Sequence, residues 1–192
     1  MRVAVTGTPG TGKTTATDHL DETVVHLNDA VREQTDGVGG DATEQTGDAT
    51  DGSGGELVAD RDDERDSLIV DLDAAATFVD ERVAATDGPV VVESHLAHRL
   101  AADRVVVLRC RPDVLEDRLV ERGESPESAA ENRESEALDV VTGEAVERHG
   151  RDAVYEIETT QATPVETAAA IEAVVAGDRE PAVGTVDYIE YV

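Results

Sequence analysis

An α/β fold, with a five-stranded parallel sheet flanked by helices, is what this sequence predicts, and three observations predict it. Five short valine-rich runs recur along the chain, longer amphipathic or acidic stretches separate them, and a glycine-rich loop follows the first run. Strands covered by helices on both faces read as continuous aliphatic runs, which is how these five read.

The strand candidates are VAV at residues 3–5, VVHL at 24–27, PVVVE at 89–93, RVVVL at 104–108 and AVYEI at 153–157. After the first strand and its loop, no helix breaker intervenes until well past Leu20. Residues 35–65, rich in Gly, Asp and Thr, carry too little apolar surface to offset the entropy of ordering, and are expected to form a flexible insert. Leu72, Ala75, Ala76, Val79 and Val83 share one helical face, and Gly88-Pro89 closes that stretch before the third strand. Pro112 suits a first helical turn, Leu115 and Leu119 repeat at four, and Gly123 suits the end of that helix. Ser125-Pro126 opens a helix expected to reach His149-Gly150, and Thr163-Pro164 opens the last, ending near Gly177. The tail, 178–192, holds enough Val, Tyr and Ile to pack as a strand or an ordered arm. One domain over 1–177 is expected, without internal repeats.

Sixteen basic residues stand against 44 acidic ones, a net charge of −28, and only one of the sixteen is a lysine. Self-repulsion of that size loosens a compact chain unless salt screens it, and at about 1 M salt the Debye length is ~3 Å. Arginine over lysine, abundant acids and 2% aromatic residues resemble the composition of extreme halophiles. Such acidity argues against broad, sequence-independent nucleic-acid binding, though it leaves room for a local cationic site. Cys110 is the only cysteine, so neither an internal disulfide nor a cysteine metal cluster can form. No apolar run approaches the ~18 residues needed to span a bilayer, and the chain opens on strand-like MRVAVTG. A cytoplasmic protein with no leader and no membrane partner is expected.

The lone lysine decides the chemistry. GTPGTGKT, residues 7–14, fits G-x-x-x-x-G-K-[ST], the P-loop. Glycines let backbone amides turn inward around phosphate oxygens, and the start of the following helix adds positive potential. Lys13 would reach the β- and γ-phosphates, and the Thr14 hydroxyl would ligate Mg²⁺. Glu93 ends the third run, where a carboxylate beside the P-loop strand can hold the metal through water. His95 and His98 lack the spacing of a zinc helix, and His95 is placed to orient an attacking group or to make a structural contact. Phosphoryl transfer is mostly positioning and charge neutralisation, so cations are expected around both phosphate chains; Arg32, Arg122, Arg133 and Arg99 are the candidates.

These residues resemble the small nucleoside monophosphate kinases, and above all the adenylate kinase isoenzyme six type, the coilin-interacting nuclear ATPase and its archaeal relatives. The likeness rests on TGTPGTGKTT, on NDAVRE at 28–33, on VVVESH at 90–95 and on LVERGESPESAAENRESEAL at 119–138, and covers roughly 1–33 and 66–160. It implies a P-loop NTPase fold with a monophosphate-binding arm over 26–70, including the insert, and a short lid over 121–131. It implies that Gly10, Gly12, Lys13, Thr14 and Thr15 bind ATP and the metal. Asp29 and Arg32 would then bind the monophosphate. Arg99 is expected to line that side because the acceptor phosphate needs cations, not through the resemblance. Glu93 and His95 would act at the metal and attacking group, and Arg122 on ATP and its transferring phosphoryl. Glu93 stands where aspartate is common, and Glu124 where a tyrosine is often found.

The activity implied is ATP + NMP to ADP + NDP, AMP favoured, with ATP and Mg²⁺ as cofactors. The resemblance also implies ATPase activity in late maturation of the small ribosomal subunit, including rRNA 3′-end processing, through transient contact with a small-subunit ribosomal protein. Two alternatives stay open: an assembly ATPase with little kinase activity, and another small P-loop metabolite kinase of the shikimate or dephospho-coenzyme A type.

Overall fold

The computed structural model describes residues 1–37, 57–62 and 67–192, and the rest of the expected insert lies outside them. A five-stranded parallel sheet carries the molecule. Its strands are β1 (Arg2–Thr6), β2 (Thr23–His26), β5 (Val90–Glu93), β6 (Arg104–Arg109) and β7 (Val154–Glu158), in the order β2-β5-β1-β6-β7. Each of the five runs read from the sequence is one of these strands. Alternate residues feed two cores: Ala4, Val90, Val92, Val105, Val107 and Val154 face one side, Val3, Val5, Val91, Val106, Leu108 and Ile157 the other. The period-2 alternation of the pleat sends aliphatic side chains both ways, so neither face can be polar.

Helices α2 (Leu27–Gly37), α3 (Leu72–Ala84) and α6 (Val140–His149) cover the first side, through Val31, Ala75, Val79 and Ala145. Helices α1 (Lys13–Thr17) and α7 (Pro164–Ala176) cover the second, through Ala16, Ile171, Val174 and Val175. Helix α4 (Pro112–Glu121) packs on α5 (Pro126–Ala137) through Leu115, Leu119 and Ala129. Local chemistry starts these helices. Asp71 caps α3 by accepting from Asp73 N and Ala74 N, Ser125 caps α5, and Thr163 with Glu166 closes a reciprocal capping box on α7.

Three expectations need correction. The helix after the loop is short: α1 ends at Thr17, whose hydroxyl bonds back to the carbonyls of Lys13 and Thr14. Three threonines in five residues are weak helix formers, and β2 must begin by Thr23. The helix expected from Ser125 to Gly150 is two, broken at Asp139, which adopts φ 55° while its carboxylate takes a hydrogen bond from the buried Arg109. That long-range bond holds Asp in a left-handed conformation few side chains tolerate. The stretch 35–65 is not all loop, since β3 (Val58–Asp62) pairs antiparallel with β4 (Ser67–Val70) in a hairpin ahead of α3.

The tail is an ordered arm. Ala182 bridges alongside Tyr155 of β7, exchanging backbone hydrogen bonds with Val154 and Glu156, and Tyr188 is buried with its ring over the Arg109 guanidinium. Among the described residues no helix is long and apolar enough to cross a membrane.

Candidate active site

The sheet order puts β1 at the centre, so its carboxyl end opens between β5 and β6, and the loop of residues 7–14 fills that opening. Gly7 has φ +142°, and a Cβ there would lie 2.5 Å from the Leu108 carbonyl oxygen, so only glycine lets the loop press onto β6. Gly12 lines the cleft with φ +86°, a conformation that favours glycine, and open space lies where a Cβ would stand. Lys13 folds back over the loop and donates to the carbonyls of Gly7 (2.9 Å) and Thr8 (3.0 Å). Burial pulls its pKa down to about 8, with Glu93 and Glu136 only partly offsetting that and Arg122 adding to it. Carbonyl dipoles solvate the ammonium incompletely, and a phosphate chain would supply the full counter-charge.

Register delivers the carboxylate. Glu93 pairs with Val5 of β1 and with His26 of β2, so it stands beside the loop at the sheet's carboxyl edge. Its Oε2 accepts from Thr14 Oγ1 (3.3 Å) and meets His26 Nδ1 at 3.0 Å, while His26 Nε2 lies 3.6 Å from Asp18. Glu93 is 2% exposed, and its Oε1 is buried with no hydrogen-bond partner among the described residues. An orphaned carboxylate oxygen beside a hydroxyl fits Mg²⁺, a hard cation that takes oxygen ligands and keeps much of its water. No group of three or more His, Cys, Asp or Glu able to cage a metal occurs among the described residues.

A cleft of about 460 Å³ gathers the candidates, being lined by Pro9, Gly10, Gly12, Lys13, Thr14, Thr15, Asn28, Asp29, Arg32, Glu93, His95 and Arg122. The loop, the first turn of α2, the end of β5 and the cap of α4 thus meet at one cavity. His95 is pushed down to about pKa 4 by burial first, then by Lys13, His98 and Arg99, so it is a neutral imidazole at pH 7. Arg32 lies 72% exposed at the cleft, 3.6 Å from Asp29 one turn earlier. Arg99 does not join them. It faces a separate hollow with His98, and its guanidinium grips both oxygens of Glu144 at 2.9–3.1 Å. A bidentate pair already made leaves that cation little to offer an acceptor phosphate. His98, bonded to Thr6 Oγ1 at 2.8 Å and Glu144 at 2.9 Å, is a structural contact. Arg133 sits 3.7 Å from Glu116 and ties α5 to α4.

Sequence reasoning missed four residues. His26 braces Glu93, and Asn28 accepts from Ser94 Oγ at 3.1 Å beside the cleft. Arg118 reaches from α4 to the carbonyls of Gly10 (3.5 Å), Thr159 (3.5 Å) and Thr160 (3.3 Å), joining the phosphate loop to the loop after β7. Its place four residues before Arg122 on one helix face was a usable signal. Glu136 is the fourth; it accepts from Thr8 Oγ1, and nothing in the spacing of the sequence indicates that contact.

A family profile described as an AAA domain matches residues 3–139. The chain belongs to that family. A curated protein of Natronomonas pharaonis named "Putative adenylate kinase" is 54% identical over the whole of both chains. One of the same name from Halobacterium salinarum is 53% identical, again over the whole of both. Among solved structures, a shikimate kinase from Acinetobacter baumannii superposes with a TM-score of 0.56 at 15% identity, covering 93% of this chain and 94% of its own. At that identity the likeness speaks for the fold alone. This AAA-domain protein is a nucleoside-monophosphate-kinase-like P-loop protein with a P-loop NTPase α/β fold.

Proposed function

We propose that this protein transfers the γ-phosphoryl group of ATP to a nucleoside monophosphate, with AMP preferred. The observation that carries the reading is the meeting, in one cleft, of the P-loop cation with the Asn28–Asp29–Arg32 turn of α2. A protein that only hydrolysed ATP would need the first group and not the second. The names of the relatives support the same class.

In the reaction the bond from the γ-phosphorus to the β-bridging oxygen breaks, and one forms to a phosphate oxygen of the acceptor, giving two diphosphates. Lys13 and the backbone amides of Gly10 and Gly12 would hold the donor phosphates, and Arg122 would offset charge on the transferring group. Arg32, oriented by Asp29, holds the acceptor phosphate, and neutral His95 stands on the attacking side, able to share a hydrogen bond without adding charge. Thr14 and Glu93 would hold Mg²⁺, which would supply charge neutralisation between the phosphates. His26 keeps one Glu93 oxygen occupied, so the other is the one presented.

Hydrolysis is a second reading: with Arg32 72% exposed, water reaches the acceptor side and can replace the monophosphate. On that reading the chain is an ATPase of late small-subunit maturation, acting through transient contact with a ribosomal protein, a role supported by the resemblance of its motifs. Both readings place the protein in molar salt, given the net charge of −28. ATP consumption measured in molar KCl with and without AMP, CMP and dAMP, alongside a pull-down of ribosomal proteins, separates them. Stimulation by an acceptor with stoichiometric diphosphate is expected; hydrolysis indifferent to every acceptor overturns the kinase reading.

A further inference from the structure

Four buried polar side chains run in an unbroken hydrogen-bonded line from the C-terminal arm to the phosphate loop. Glu156 Oε2 accepts from Gly184 N (2.6 Å), Thr185 N (2.9 Å) and Thr185 Oγ1 (3.3 Å). Its Oε1 accepts from Arg109 Nη1 at 2.7 Å, and Arg109 Nε donates to Glu136 Oε1 at 2.8 Å. Glu136 Oε2 then accepts from Thr8 Oγ1 at 2.5 Å. Thr8, Arg109, Glu136 and Glu156 are each 1–2% exposed.

The last link is more than the fold requires. Glu136 Oε1 already holds Arg109 and Cys110 N (3.1 Å), which answers much of the cost of burying that carboxylate. Its second oxygen goes to the loop, and to one residue of it. The carbonyl of Thr8 is one of the two that receive Lys13 Nζ, and it also accepts from Thr11 Oγ1 at 2.9 Å. Glu136 therefore grips the side chain of the residue whose backbone holds the lysine. It does so from the end of α5, the helix that begins at Pro126 within the lid stretch 121–131.

We propose that Glu136 is a positioning residue of the phosphate loop: through Thr8 it fixes where Lys13 rests before a triphosphate arrives, and ties that resting place to the helix emerging from the lid. The inference depends on the P-loop being the triphosphate site. Glu136 touches no reacting atom; its effect passes through Thr8. A lid that shifts α5 would move Glu136 and with it the Thr8 carbonyl, so closure over the nucleotide and release of the lysine from its carbonyls become one motion.

The test uses the full chain in molar KCl with Mg²⁺ and a non-hydrolysable ATP analogue. Thr8→Val keeps the shape and removes the donor, whereas Thr8→Ser keeps the donor. Thr8→Val is expected to weaken analogue binding and raise KM for ATP roughly tenfold, the scale of one lost hydrogen bond to a charged group, with KM for AMP changed less than about twofold. Thr8→Ser should recover most of the loss. Glu136→Gln keeps an acceptor for Arg109 and Cys110 N but turns a neutral NH2 toward Thr8 in place of the carboxylate oxygen, so it should weaken binding. Adding Thr8→Val to it should cost less than Thr8→Val alone, because both act on the same contact. If Glu136→Gln does not fold, Thr8→Val decides alone, since it leaves the Arg109 pair in place. Equal weakening by Val and Ser, unchanged binding by Val, or an equal rise in KM for AMP overturns the proposal. A parent protein that fails to bind the analogue overturns the phosphate-loop reading itself, which the comparison of variants does not.

Discussion

Two constellations lie near the carboxyl end of β5, and they use nearly the same parts. In one, Glu93 stands with His26 and the Lys13 ammonium; in the other, Glu144 stands with His98 and the Arg99 guanidinium. The second closes on itself: both Glu144 oxygens meet the Arg99 fork, and the imidazole takes one of them as well. The first does not. One Glu93 oxygen is buried without a hydrogen-bond partner among the described residues, and the lysine rests on neutral carbonyls while burial lowers its pKa. Composition does not separate a binding site from a structural knot here; charge left unmet does, because an arriving ligand is stabilised by what the protein has not already neutralised.

The sharpest way to break this contrast is to remove the lysine. Lys13→Ala should lower acceptor-dependent ATP turnover by roughly a thousandfold or more, since no other lysine exists to stand in. Steady-state diphosphate formation in molar KCl measures it, and undiminished transfer would remove the basis for assigning the site. Next comes the orphaned oxygen. Glu93→Gln keeps the size and one acceptor for His26 but removes the charge, and a loss of roughly a hundredfold is expected, partly recovered by raising Mg²⁺. Glu144→Gln, changed in the same way, should leave the Mg²⁺ requirement where it was. A titration of rate against Mg²⁺ for both variants tests the pair.

Legibility in the sequence follows the same division. The five strands were readable because burial on both faces forces continuous aliphatic runs, a local signal. The break at Asp139 was not, because Arg109, 30 residues away, is what holds that backbone turned. The P-loop itself was readable because that motif fixes residue types at fixed spacing. Glu93 was readable as a carboxylate at a strand end, but His26 beside it was not, since only the β2–β5 register reveals the contact. Arg99 was misplaced for a related reason: its partner Glu144 is 45 residues away, and an arginine near the acceptor segment looks available until that partner is seen. Lys13 stands in a motif of fixed spacing and Glu93 at the end of an aliphatic run, whereas the Arg99–Glu144 pair, joined only by the fold, leaves no such signal.

Proton linkage gives a smaller effect of definite sign. In the free protein Lys13 has a pKa of about 8, so at pH 8 roughly half the molecules hold a neutral amine there. A triphosphate favours the charged form and raises that pKa, so binding takes up protons, by up to about half of one per site near pH 8 and by almost none near pH 6. Calorimetry of analogue binding in buffers of differing ionisation enthalpy reads the uptake directly. Net proton release near pH 8, where the terminal phosphate of the analogue is already ionised, would mean the lysine is not where the triphosphate lands.

The smallest effect belongs to the closed constellation. Arg99→Ala removes a cation that sequence reasoning placed against the acceptor, and the structure places it on Glu144. Transfer to AMP should therefore keep its kcat/KM within about twofold. The pair is 44% and 38% exposed, so solvent and molar salt screen it, and its loss should lower stability by no more than about 1 kcal/mol. Glu144 retains His98, which remains pinned to Thr6 at the end of β1, so the strand below the phosphate loop does not lose its brace. A large rise in KM for AMP in Arg99→Ala, with the unfolding midpoint unchanged, would mean that the guanidinium leaves Glu144 when acceptor binds, and that the two constellations differ only until the second substrate arrives.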